Sequence, residues 1–403
     1  MALVTELDLP EFDFLDANLS GSRYHEIVHG LAAESWVVHS DIAYFVLDRD
    51  AGEQFLRTKS AGFPGHELAE IFGITDGPLA EEMRRNILHL DGEQHRRLRN
   101  LVNPFFTPRA ADRWRPAMRG FLAELWEPLA DRGSCEAIED LCKPYPSLTI
   151  ATVMGAPLTD APKLHEWSNW IQRQFDAPTL MTQRERIEQA VAEFYEWVAP
   201  FIEDRRGSPG DDLISALIAA ESEGDRLSDV ECMNLVLNVL VGGVDTTQSQ
   251  LAHGLRLFAQ HPEQWELLRS RPELTEQAVQ EILRFEPITP FTARILREEL
   301  EVRDVTFPAG TIVMVAAVTA NRDGIEDGDR FDIAREGDAR RVLTFGAGIH
   351  FCLGVNLARA ELQEALTFLA PRMPGLRLDG EPELEGVHGI YGMTSLPLRW
   401  DVP

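Results

Sequence analysis

The chain has 403 residues, 44% of them hydrophobic and 26% charged, with a formal net charge of −28. That is ample apolar material for a large core, and the composition excludes a disordered, collagenous or disulfide-built chain. A field this negative repels duplex phosphate and anionic bilayers, so neither nucleic acid nor a membrane is expected as a partner.

The N-terminal stretch MALVTELDLPEFDF has no basic region and no long apolar run, so it predicts neither a signal peptide nor an anchor. Strand signals come first around Trp36–Val46. Apolar residues at helical spacing then mark 80–102, 110–130, 160–173, 183–205 and 211–222. The polar stretch 206–212 reads as a surface connection, because the helical patterns on either side are incomplete alone; one domain over 1–403 is expected. Helical spacing resumes over 228–260, 262–285 and 354–370. A second strand region spans Glu299–Val318, where Pro308-Ala309-Gly310 makes a turn between two β-rich runs. The fold class is mainly α with a small β portion. The longest apolar run, Leu235–Val244, is broken by Asn238 and two glycines, and is too short and polar to span a bilayer.

The helix beginning at Ser228 is the most informative. Ser228-Asp229-Val230-Glu231 has the form of a capping box, and Pro262 marks the far end. Unbroken, the helix would span roughly 50 Å. A rod of that length crosses the molecule, so something central should lie against it. In its middle stands Gly242-Gly243-Val244-Asp245-Thr246-Thr247. Each glycine costs a helix about 1 kcal/mol relative to alanine. A pair of them predicts a helix that is locally opened or closely approached; a simple helix crossing at small residues is the plainer reading. In an opened helix Thr246 could turn its hydroxyl to a ligand instead of back-bonding its own turn.

Four cysteines, Cys135, Cys142, Cys232 and Cys352, fit no zinc spacing and are too few for a disulfide framework. Cys352 differs in its setting: Phe345-Gly346-Ala347-Gly348-Ile349-His350-Phe351-Cys352-Leu353-Gly354. Alternate glycines allow a tight turn and a close approach to a flat ligand. A helix follows, and a helix start favours a thiolate. An idle buried cysteine and a nucleophile are the rival readings, but no nucleophile elbow is present. A single cysteine as metal ligand points to haem, which needs only axial ligands from the protein.

This string resembles the haem-binding signature of the cytochrome P-450 family, Phe-Gly-x-Gly-x-His-x-Cys-x-Gly, at every fixed position. The resemblance implies a cytochrome P-450 fold, with haem b between the long central helix and the cysteine loop. It implies Cys352 as the iron ligand, Phe345 beside the thiolate, His350 at a haem propionate and Gly354 closing the motif. The glycine string resembles the family's oxygen-activation motif, with Thr246 steadying dioxygen and its water and Asp245 helping to deliver protons. Glu281-Ile282-Leu283-Arg284 resembles the structural Glu-x-x-Arg motif, which Arg335 commonly joins. His95 and Arg99 resemble a propionate-binding pair, with Arg294 as a further propionate arginine. Two departures stand out: Val342-Leu343-Thr344 replaces a common His-Leu string, which removes a polar contact, and Asp91-Gly92-Glu93 replaces Asp-Pro-Pro, which alters a helix start.

The resemblance further implies a monooxygenase acting on a small hydrophobic substrate such as a terpenoid, steroid, fatty acid or aromatic secondary metabolite. Dioxygen is the co-substrate, and electrons come from a separate ferredoxin or flavodoxin with its NAD(P)H reductase. Arg96, Arg97 and Arg359 are the docking candidates. Pocket regions by analogy are 62–88, 167–180, 240–244, 288–292 and 393–394. Within them Leu240, Gly243, Val244, Ile288, Thr289, Phe291, Thr292, Met393 and Thr394 are the expected lining residues. A cytoplasmic monomer is expected. A peroxide-driven peroxygenase, and a non-catalytic haem carrier or gas sensor, are the alternatives.

Overall fold

A computed structural model describes residues 2–221, 227–335 and 341–402. Helices dominate, and they are more divided than the periodicity predicts. The 80–102 pattern resolves into Gly77–Arg85 and Gly92–Val102, and the 262–285 pattern into Pro262–Ser270 and Thr275–Phe285. Pro272 supplies the second break, since it lacks an N–H and pushes Arg271 out of the helical region. Apolar spacing carries across such breaks because both pieces face the same core. The 183–205 pattern extends to Ala177–Gly207, where Asp176 accepts the Thr179 N–H at 2.9 Å as an N-cap. The 211–222 pattern becomes Leu213–Glu221, its last residue lying outside the described residues.

Ser228 forms the full capping box. Its hydroxyl accepts the Glu231 N–H at 3.3 Å, and the Glu231 carboxylate accepts the Ser228 N–H at 2.8 Å. The single rod is corrected to two helices, Asp229–Gly243 and Asp245–Gln260, hinged at Val244 (φ −95°, ψ −72°). Both meanings of the glycine pair are realised. A Cβ on Gly243 would lie 2.3 Å from Ile150 Cδ1, so a neighbouring helix packs closely there. Gly242 meets no atom within 4 Å of where its Cβ would be.

The first strand region and the end of the second join in one five-stranded sheet, ordered Val37–His39, Tyr44–Val46, Ile312–Ala316, Phe291–Leu296, Ala61–Gly62, while Leu300–Val302 and Val305–Phe307 pair in a separate sheet with Ala2–Leu3. Phe291–Leu296 is a central partner that the sequence reading left as pocket and loop. Gly310 (φ +84°) makes the expected turn after Pro308. Three clusters of buried side chains result. The largest is helical and holds Leu98, Leu240, Leu255, Ile282 and Leu357. A second lies at the sheet, with Phe55, Phe307, Val315, Leu343 and Ala347. A third is aromatic, built on Phe12, Phe14, Phe45, Phe291 and Tyr391.

Glu281 and Arg284 form a buried two-pronged pair at 2.7 and 2.8 Å. Arg335 approaches Glu281 at 3.6 Å, and the Asp332 N–H donates to it at 2.9 Å. Removing one partner strands a buried charge, so Glu281→Ala is expected to destabilise the fold by about 3–5 kcal/mol. Denaturant titration of the variant checks this; an unmoved midpoint would show that the pair anchors nothing.

Candidate active site

The Cys352 loop owes its shape to two glycines with positive φ, Gly346 (+65°) and Gly348 (+74°). A Cβ on Gly348 would stand 2.3 Å from the Leu56 carbonyl oxygen, which is backbone and cannot step aside. The Cys352 N–H donates to the Phe345 carbonyl at 3.0 Å and closes the loop. The Arg359 guanidinium lies 5.5 Å over the Phe345 ring. Gly348→Ala is therefore expected to distort the loop and leave the protein poorly loaded with haem. The haem-to-protein absorbance ratio of the purified variant measures this, and normal loading would refute it.

The helix that follows starts at Val355. Its effect on the thiol is smaller than the sequence suggests. Burial pushes Cys352 up, while the Gly354 and Val355 N–H groups, Arg99 and Arg359 pull it down without prevailing. A coordinated metal ion changes that balance, because it displaces the thiol proton outright. Cys135 and Cys142 are free and buried; burial pushes the first up to about 12 and raises the second well above its usual range. Neither is a reactive thiol.

Two arginines and two histidines converge beside this loop. Arg294, on the central sheet, is buried and bonds only carbonyls, Ala293 at 2.8 Å and Ala347 at 3.4 Å. Burial pulls its guanidinium down to about 10. Arg99 bonds Asn103 at 3.0 Å and the Phe351 carbonyl. Among the described residues neither arginine forms a salt bridge. The His95 and His350 rings stand 4.7 Å apart. His350 Nε2 lies 3.3 Å from Asp91 Oδ1, while His350 Nδ1 and His95 Nε2 are buried without a partner. Burial lowers both imidazoles, His95 to about 4. Two guanidiniums and two imidazoles facing one aspartate form an anion receptor with capacity to spare. The two propionates of haem fit it, and a guanidinium fork suits a carboxylate.

Asp245 begins the second half of the central helix and is buried. Its carboxylate accepts from the Ser168 hydroxyl at 2.7 Å and the Asn169 amide at 3.3 Å, with His165 Nε2 at 4.0 Å. His165 also meets Gln248 at 2.8 Å. Burial raises the Asp245 carboxyl, against His165, Ser168, Asn169 and Arg173. A cleft of about 370 Å³ reaches it, lined by Asn169, Arg173, Gln248 and Glu385 among others. Sequence reasoning missed this cage, because His165, Ser168 and Asn169 carry no motif. Thr246 departs from its expected orientation: its hydroxyl donates to the Gly242 carbonyl at 2.7 Å, back-bonding its own turn.

The expected pocket needs correction. Leu240 and Val244 are fully buried in the helical core, two residues out of phase with the open face at Gly242 and Thr246. Gly243 faces Ile150. Phe291 belongs to the aromatic cluster, 5.1 Å from Phe45 and 5.4 Å from Phe14. Thr394 is exposed and donates to Glu383 at 3.1 Å. Ile288 and Met393 are buried, and Thr289 and Thr292 are partly buried.

Both departures have structural counterparts. Thr344 donates to the Leu283 carbonyl at 2.6 Å and accepts from Asn321 at 2.9 Å, so the polar contact expected to be lost is supplied by other atoms. Gly92 has φ +61°, which proline cannot adopt, so this helix starts differently.

The sequence profile of the cytochrome P-450 family matches residues 75–369. Luteothin monooxygenase of Streptomyces thioluteus is 36% identical over 98% of this chain and 96% of its own. Mycinamicin IV hydroxylase/epoxidase of Micromonospora griseorubida is 35% identical over 79% of this chain and 81% of its own. The crystal structure of CalO2 superposes with a TM-score of 0.90 at 30% identity, covering 98% of this chain and 99% of that one. With the profile, these relatives and the shared fold in agreement, the chain belongs to the cytochrome P-450 family, whose members are haem b monooxygenases.

Proposed function

We propose that this protein inserts one oxygen atom from dioxygen into a small hydrophobic organic substrate, by hydroxylation or epoxidation. Haem, when bound through Cys352, supplies dioxygen binding and reductive O–O cleavage, which thiolate donation favours. Arg99, Arg294, His95 and His350 would hold its propionates. Asp245 would take protons from the polar cleft and, after rotation of its side chain, hand them toward Thr246. The buried Asp245 at the head of that cleft, with Thr246 next to it in the chain, is the observation that carries the reading. A peroxide-driven enzyme or a haem carrier has no need of such a pair. The relatives named hydroxylase or epoxidase support the same class of chemistry. The test is turnover under isotopically heavy dioxygen, using substrates chosen by spin shift. Label in the product supports the proposal. Unlabelled product, or equal turnover with hydrogen peroxide alone, would overturn it.

Electrons would come from a separate ferredoxin or flavodoxin and its NAD(P)H reductase. Of the docking arginines, Arg97 is paired with Glu231 and Arg359 is half-buried, whereas Arg96 is exposed. Arg96→Glu is expected to slow reduction by an acidic ferredoxin several-fold at low salt and to leave substrate binding unchanged. Equal electron-transfer rates at low salt would exclude Arg96 from docking. Among the described residues no helix is long and apolar enough to cross a membrane. The proposal includes a cytoplasmic monomer, since a charge of −28 keeps copies apart.

A further inference from the structure

Asn238 interrupts an apolar helix, four residues before Gly242 and eight before Thr246. The three therefore share one helix face. Gly242 is exposed, and Thr246 and Asn238 are partly exposed, although Leu237, Val239, Leu240 and Val241 around them are buried. This face is the one that the proposed function turns toward haem and substrate, and the inference rests on that reading.

The Asn238 amide is held in one orientation. The Ile87 N–H donates to its Oδ1 at 3.0 Å, which identifies the oxygen end. Its Nδ2 donates to Glu82 Oε1 at 3.4 Å. Glu82 is wholly buried, and the same oxygen accepts from Asn86 at 2.6 Å. An asparagine amide has two N–H bonds, and only one is engaged here. A donor among apolar side chains gains most from a ligand oxygen, because leaving it unmet after burial is costly.

We propose that Asn238 recognises an oxygen acceptor on the substrate, a ketone, lactone or ether oxygen, and that Glu82 is the positioning residue that aims its amide. On this helix face Asn238 would then be the fixed donor, since the Thr246 hydroxyl already donates to the Gly242 carbonyl. Substrates lacking an oxygen at the matching distance would bind less well and be oxidised at less defined positions. Burial pushes the Glu82 carboxyl up to about 7, so near neutrality it carries less negative charge than a surface carboxylate.

The test uses two matched probe series, N-alkylimidazoles and their analogues carrying one ketone along the chain. The imidazole nitrogen binds haem iron, so the absorption shift reports affinity without a known substrate. At the best ketone position, the ketone-over-alkane affinity ratio is expected to be about three- to tenfold higher in the wild type than in Asn238→Leu. Asn238→Ala, which only removes atoms, should lose the ratio too. Glu82→Gln keeps an acceptor oxygen and should retain it, whereas Glu82→Leu should lose most of it. A merely structural role would weaken both series equally. Ratios that are alike in the wild type and both Asn238 variants overturn the proposal. So does failure of both variants to load haem, which would make Asn238 a folding residue. A reduced carbon-monoxide spectrum of the loaded wild type without the thiolate band would instead overturn the haem-thiolate reading beneath it.

Discussion

Replacing Cys352 by serine is expected to abolish the reduced carbon-monoxide band of thiolate ligation and to lower turnover by more than about a thousandfold, because thiolate donation to iron is lost. The loop itself should survive. The Phe345–Cys352 closure uses backbone atoms, and the turn depends on Gly346 and Gly348. The variant should therefore retain its fold, and any haem it carries would lack the thiolate signature. A serine variant that kept the thiolate band would disprove Cys352 as the ligand. So would a variant of any other cysteine that lost it.

Asp245→Asn is expected to lower turnover by about 10²- to 10⁴-fold, the usual worth of a positioned acid–base group. Substrate-induced spin shifts should be unchanged. Asparagine keeps an oxygen for the Ser168 hydroxyl but cannot carry a proton. The pH dependence has a defined sign. Burial raises the Asp245 carboxyl above the usual aspartate range. A raised acid favours its protonated form in the fold, so the stability it contributes is full at low pH and is lost as pH rises through the folded value. Proton occupancy, and with it the relay, falls over the same rise. Stopped-flow turnover against pH should show this limb in the wild type and not in Asp245→Asn. Unchanged turnover in the variant would remove Asp245 from proton delivery.

The cysteine loop, the capping box and the Glu281–Arg284 pair were legible because each is written in adjacent residues. The pocket wall was not. Leu240 and Val244 follow from analogy of position on the right helix, but two residues turn a helix by about 200°. The open face follows Asn238, Gly242 and Thr246, and the polar interruption at Asn238 was the available signal. The cage around Asp245 was illegible for another reason. His165 and Ser168 precede it by some eighty positions, and only the packing of one helix across another brings them together. The strand Phe291–Leu296 carries no alternation to read, because it lies inside its sheet and its last three residues are all buried.

The three separate clusters of buried side chains bear on how the protein assembles. Arg294 hangs from the sheet, and Leu343 and Ala347 root the cysteine loop in the cluster beside that sheet. The helix that carries His95 and Arg99 is rooted in the helical core through Leu98 and Val102. A cofactor gripped by all of these would tie the sheet side to the helical core, adding to direct links such as the Thr344–Leu283 bond. Ligand binding of this kind stabilises the joined state by mass action. The haem-loaded form is then expected to resist proteases longer than the apoprotein.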